Sequence, residues 1–220
     1  MRKRLAFGVI LASLLVVPSG APAVAAPDCT YTFPASGGFY EELVVDGDVL
    51  CGGPGADSVL RMEGGEFRGR RGTDEVTVML GGVFAGGRSV DKVRRLKGGR
   101  FTGGGGADVA YAFFGGTFHG GPYHDRVNRL NGGTFVGGQG RDSTGRLSGG
   151  TFIGGDRQDD VSHVDGGTFV GGENGDHAWN VFDGTFDGGP DLDSIRFCLV
   201  SPPAVVHSVE IIRMDDCPPT

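Results

Sequence analysis

A phenylalanine returns every 17 residues along most of the chain, at Phe67, Phe84, Phe101, Phe118, Phe135, Phe152, Phe169 and Phe186, with no insertion or deletion between them. One step back falls on Leu50, which gives nine units from Leu50 to about Leu199. Counted from its Phe, each unit places a small or apolar residue at position 10 (Val59, Val76, Val93, Ala110, Val127, Thr144, Val161, Ala178, Ile195). Position 13 is apolar throughout (Met62, Met79, Leu96, Phe113, Leu130, Leu147, Val164, Val181, Cys198). Glycine-rich corners separate these stretches, one at positions 3 and 4 and one at positions 15 and 16. The stretches are too short for helices and suit strands of three or four residues rich in Phe, Val and Thr.

A fixed period over many units is the signature of a solenoid. With one unit per coil, equivalent strands stack in parallel about 4.8 Å apart, and the Phe side chains form one row inside a thin tube. The pattern predicts an all-β, single-domain parallel β-solenoid, a β-roll or β-helix, of about nine 17-residue coils with capped ends.

Composition takes its meaning from this period. The 44 Gly and 11 Pro make up a quarter of the 220 residues, a share that without periodicity indicates low complexity. Here glycine serves corners that need φ > 0. Ahead of the repeats, Arg2, Lys3 and Arg4 precede an apolar run from Leu5 to Val17 and the small residues Ala23 to Ala26. This predicts a secretory signal peptide over 1–26, because the run is shorter than the roughly 20 residues of a membrane span. The remaining chain divides into an N-terminal cap (27–49), the solenoid repeats (50–199) and a C-terminal cap (200–220). The expected product is secreted and extracellular, with no membrane span in the mature chain.

Loss of the leader removes three positive charges and takes the net charge from −7 to −10. Asp (20) greatly outnumbers Glu (7), which favours turns and cation ligation, and the acidic balance argues against a nucleic-acid partner. Charge is also uneven along the chain. Residues 61–100 hold ten Lys or Arg against five acids, whereas residues 139–193 hold eleven acids against three Arg.

Position 8 is Asp in every unit: Asp57, Asp74, Asp91, Asp108, Asp125, Asp142, Asp159, Asp176 and Asp193. Gly52-Gly53-Pro54-Gly55-Ala56-Asp57-Ser58-Val59 spells Gly-Gly-x-Gly-x-Asp-x-Val, and its first six positions recur at Gly103–Asp108 and Gly137–Asp142. This resembles the hemolysin-type (RTX) calcium-binding repeat in a 17-residue form. The resemblance implies a parallel β-roll in which Asp carboxylates and loop carbonyls of neighbouring coils share Ca²⁺. On it, the expected cofactor is Ca²⁺, with Asp57, Asp74, Asp142, Asp159, Asp176 and Asp193 as metal-site residues. Carboxylates stacked near 4.8 Å repel by roughly 0.9 kcal/mol per neighbouring pair even in bulk water. Calcium, backbone N–H groups of the glycine corner or nearby arginines could each offset this.

Four cysteines in an exported chain allow three pairings. Cys51 and Cys198 lie eight steps apart, about 38 Å at the usual strand spacing, and a disulfide needs Cα atoms within about 7 Å. Local bridges Cys29–Cys51 and Cys198–Cys217 are therefore expected, each clamping a cap over an open end where unpaired strands invite aggregation.

The five histidines occupy different positions of the unit and show no metal-ligand spacing, and no Gly-x-Ser-x-Gly, Cys–His pair or phosphate loop is present. The expected function is a secreted, non-catalytic, calcium-associated structural or surface-binding module whose partner is an extracellular polysaccharide or a cell surface. A lyase-like carbohydrate-active enzyme is the alternative from another class. A third reading comes from Thr117, Thr134, Thr151, Thr168 and Thr185 at position 17, with Val136, Ile153 and Val170 two residues further on. Such an outward Thr-x-Val face is reminiscent of solenoids that bind ice or crystalline surfaces, although strand propensity alone also selects β-branched residues there.

Overall fold

The structure, a computed structural model, describes residues 28–196, 205–208 and 211–213. The segment expected as a signal peptide, Cys198 and Cys217 lie outside the described residues. The chain is an all-β parallel solenoid of about 10 turns with 17-residue spacing, and no helix occurs among the described residues.

Each coil contributes two short strands. In the coil that begins at Phe135 these are Thr134–Gly138 and Ser143–Leu147. Strands that carry the Phe pair only with their equivalents in adjacent coils, so Phe118, Phe135, Phe152 and Phe169 stand in register. The second strands form their own ladder, with Val127, Thr144 and Val161 in register. Late in the chain strand pairing continues through the corner between the two, so Asp160–Gly172 and His177–Asp187 are each one long strand, with the register shifting around Asp165 and positive φ kept at Gly167 and Gly184. Through these long strands the two ladders join into one continuous 20-stranded sheet.

The apolar inward positions are those expected. The Phe row from Phe67 to Phe186, the position-10 residues and the described position-13 residues are all buried. Ring centroids of successive Phe are 4.9 Å apart at Phe67–Phe84 and 4.5 Å at Phe101–Phe118, with ring planes 6° and 11° from parallel. Backbone spacing dictates this stacking, because hydrogen-bonded coils hold equivalent side chains near 4.8 Å, within the range at which aromatic rings attract. The rings tilt only toward the C-terminal end, to 40° at Phe152–Phe169 and 42° at Phe169–Phe186.

From residue 28 on, the segment 27–49 expected as a cap adds a further turn of strand in the same sense. Tyr31–Thr32 pairs in parallel with Leu50 and Cys51, and Gly37–Val44 pairs with Ala56–Met62. Phe33 and Val44 close the end of the core, with the Phe33 ring 5.6 Å from that of Phe67. The Cys29–Cys51 disulfide, with Cα atoms 5.8 Å apart, fastens this turn to the first full coil. At the other end Val205–His207 lies beside Thr185–Asp187, and Ile211–Arg213 beside Ser194–Arg196.

Candidate functional site: the aspartate ladder and the outer faces

Parallel pairing lapses where the chain turns into the second strand, and the N–H of position 8 would be left without a partner. The aspartate one coil further on supplies it. The Asp57 N–H donates to Asp74 Oδ1 at 2.8 Å, the Asp91 N–H to Asp108 Oδ1 at 2.6 Å, and the Asp176 N–H to Asp193 Oδ1 at 2.7 Å. The same bond links every intervening pair. Asp57, at the start of the row, instead takes the Gly53 N–H on Oδ2 at 2.8 Å. The main-chain carbonyls also continue the ladder, as where the Lys92 N–H donates to the Asp74 carbonyl at 2.9 Å.

All nine ladder carboxyls are buried, with at most 1% of any of them exposed. They form a fourth inward row beside the three apolar ones. Among Asp74, Asp91, Asp108, Asp125, Asp142, Asp159 and Asp176 the second oxygen, Oδ2, is buried with no hydrogen-bond partner. Burial accordingly pushes these groups far above the usual carboxylate range, against the opposing effect of the donated N–H. Asp74, Asp91, Asp125 and Asp176 rise to about 7. Asp108 and Asp159 reach about 8, helped by the charges of their ladder neighbours. Asp142 reaches about 6, held lower by N–H groups of both Asp125 and Gly140.

The glycine at position 3 makes room for this row. A Cβ on Gly69, Gly86, Gly103, Gly120, Gly137, Gly154, Gly171 or Gly188 would collide with Oδ2 of the aspartate in its own coil. None of these eight has a positive φ, so the requirement is space. Position 4 is the turn glycine expected of such a corner, at φ 125° in Gly87 and 119° in Gly138. Arg70 takes its place once, at φ 72°.

A calcium ion takes six to eight oxygens at about 2.3–2.6 Å. Each of these seven ladder carboxyls offers one unbonded oxygen, enclosed against the glycine backbone, and no group of three or more His, Cys, Asp or Glu side chains converges on a point among the described residues. Asp57, Asp74, Asp142, Asp159, Asp176 and Asp193 thus stand on one line with Asp91, Asp108 and Asp125, in an arrangement that does not fit a calcium ion. What holds each carboxyl from Asp74 onward is the N–H of the preceding aspartate, joined at Asp142 by the Gly140 N–H; at Asp57 the Gly53 N–H of the glycine corner takes that place. Surface ion pairs such as Arg94–Glu75 and Arg146–Asp165 lie off the ladder.

The outer faces are rows of a different kind. On the Phe strands, Thr117, Thr134, Thr151, Thr168 and Thr185 stand in register, as do Val136, Ile153 and Val170. On the second strands, positions 9, 11 and 12 point outward, and in the coils from Lys92 to Arg146 they carry Lys92, Arg94, Arg95, Arg126, Arg129 and Arg146 with no acid. The basic bias of residues 61–100 signals part of this patch. Its extension to Arg146 emerges only once the outward positions are known. A small cavity of about 400 Å³ opens at the aspartate corner between Tyr123, His124, Asp156 and Arg157, where His124 Nδ1 accepts the Arg141 N–H at 2.8 Å. Set against known protein families, characterised proteins and solved structures, the chain matches none of them.

Proposed function

We propose that the protein is an exported, non-catalytic β-solenoid that acts as a rigid surface-binding rod. The observation that carries this reading is the unbroken register of the outward rows. Strand partners stay 17 residues apart from Ser58 to Val170 without a loop rising over either face. Side chains at one position of the unit therefore repeat at a constant spacing on a stiff support, which suits an extended partner better than a small substrate.

Calcium association rests only on the resemblance of Gly52–Val59 to the RTX repeat. The hydrogen bonding of the carboxylate row favours a structural spine. The test is adsorption of the purified chain to insoluble polysaccharides, with the supernatant assayed for released sugars. Adsorption without release supports the rod, and release of unsaturated sugars favours the lyase-like enzyme. A second reading, binding to ice or another crystalline surface, is favoured by the five registered threonines. It requires thermal hysteresis that is lost on Thr151→Lys.

A further inference from the structure

The second-strand face gathers positive charge on a molecule whose nine ladder acids are buried and whose other acids and bases nearly balance, 18 against 20. Across the coils that begin at Phe84, Phe101, Phe118 and Phe135, its outward positions 9, 11 and 12 hold six cations and no acid, in a chain of net charge −7. Two of the six are engaged, Arg94 with Glu75 and Arg146 with Asp165. Lys92, Arg95, Arg126 and Arg129 make no ion pair among the described residues.

These four are arranged regularly. Lys92 and Arg126 both register with Val109, and Arg95 and Arg129 both register with Ala112. Each pair is thus two coils apart, roughly 10 Å, and the two columns are three residues apart along the strand, also roughly 10 Å. The coil between the pairs presents an aromatic side chain, Tyr111, 40% exposed and flanked by the smaller Val109 and Ala112. Cations that are left unpaired and gathered on one face act as a local attractor for anions, and an exposed ring on a flat sheet offers a platform for the apolar face of a sugar.

We propose that this face docks an anionic polysaccharide, with a sugar ring on Tyr111 and carboxylate or sulfate groups of the flanking sugars on Lys92, Arg95, Arg126 and Arg129. The proposal deepens the surface-binding reading and rests on it. The geometry favours a polysaccharide over a nucleic acid. Duplex DNA carries one charge per about 1.7 Å of axis, whereas cations in each column recur only about every 10 Å.

The test is binding of the full chain to polygalacturonate, dextran sulfate, neutral dextran and a duplex DNA at low salt, with Arg95→Glu/Arg129→Glu, Tyr111→Ala and Arg71→Glu as variants. Circular dichroism melting establishes that each variant is folded. The parent is expected to bind at least one of the two anionic polymers at least tenfold more tightly than dextran or DNA. Preference between those two tells carboxylate from sulfate. The double variant is expected to lose at least tenfold, Tyr111→Ala threefold to tenfold, and Arg71→Glu, in a corner of another coil, less than twofold. Binding that falls with salt in the parent should lose about two of its ion-release steps in the double variant. Equal binding by parent and double variant, tighter binding to DNA, or no preference over dextran would overturn the proposal. Should the chain adsorb only to neutral insoluble polymers, this face is not the docking site while the rod reading survives. Failure to adsorb to any surface removes both.

Discussion

Asp108 fills the space where a side chain on Gly103 would stand. A Cβ on Gly103 would overlap Asp108 Oδ2, while the other oxygen of that carboxyl accepts the Asp91 N–H at 2.6 Å. One glycine thereby admits a carboxyl, and that carboxyl closes the hydrogen bonding of the coil before it. This relationship repeats along the tube and explains why position 3 never departs from glycine.

Gly103→Ala should therefore cost about 1–3 kcal/mol or somewhat more, as overpacking does elsewhere. Gly105, two residues on, meets nothing closer than 3.5 Å at its missing Cβ and has no positive φ. Gly105→Ala should stay within about 0.5 kcal/mol of the parent. Denaturant melts of the two variants decide the matter, and equal losses would mean that position 3 is not a packing site.

Asp108→Asn separates a spine from a ligand. The amide keeps the oxygen that accepts the Asp91 N–H and places a neutral group where Oδ2 lies buried. At pH 8 the variant should be as stable as the parent or more so, whereas Asp108→Ala, which orphans a buried N–H, should lose about 1–3 kcal/mol. A large loss for Asn comparable to that for Ala would show that the negative charge itself is needed.

Phe135 stacks between Phe118 at 4.9 Å and Phe152 at 4.7 Å and is fully buried. Phe135→Ala should cost roughly 3–5 kcal/mol. Its equilibrium unfolding curve should move to lower denaturant without a change in the sheet signature of the folded state. A variant that unfolds like the parent would contradict the stacked core.

The architecture was legible because a 17-residue period without insertions leaves few alternatives: Phe67 to Phe186 can share one environment only if each unit is one coil. The Cys29–Cys51 pairing followed from distance. The aspartates read differently from sequence and from structure. A carboxyl is ordinarily a surface group, so a recurring Asp beside glycines reads as a ligand loop, and nothing local shows that the preceding coil offers it an N–H. Gly103 and its equivalents read as turn residues for the same reason, since sequence does not separate a glycine needed for φ from one needed for space. The basic face was hidden because Arg95, Arg126, Arg129 and Arg146 are scattered in sequence. They become neighbours only when coils are stacked.

The central claim, that a buried ladder of proton-holding carboxyls forms the spine, is tested most directly by the melting temperature at pH 5 and pH 8, in excess calcium and in chelator. An unfolded Asp titrates near 3.9, whereas folded Asp74 and Asp91 titrate at about 7 and Asp108 and Asp159 at about 8. Between those values the folded chain binds protons that the unfolded chain has released, so stability falls as pH rises. The ladder's contribution is complete below about pH 4 and is lost as pH passes through 7 to 8. The expected result is a melting temperature at pH 5 above that at pH 8 by at least about 5 °C, the shift that one to two kcal/mol produces in a chain of this size, with the calcium and chelator curves superimposed at both. A melting temperature that climbs toward pH 8 and rises further with calcium would contradict the account and return the ladder to calcium.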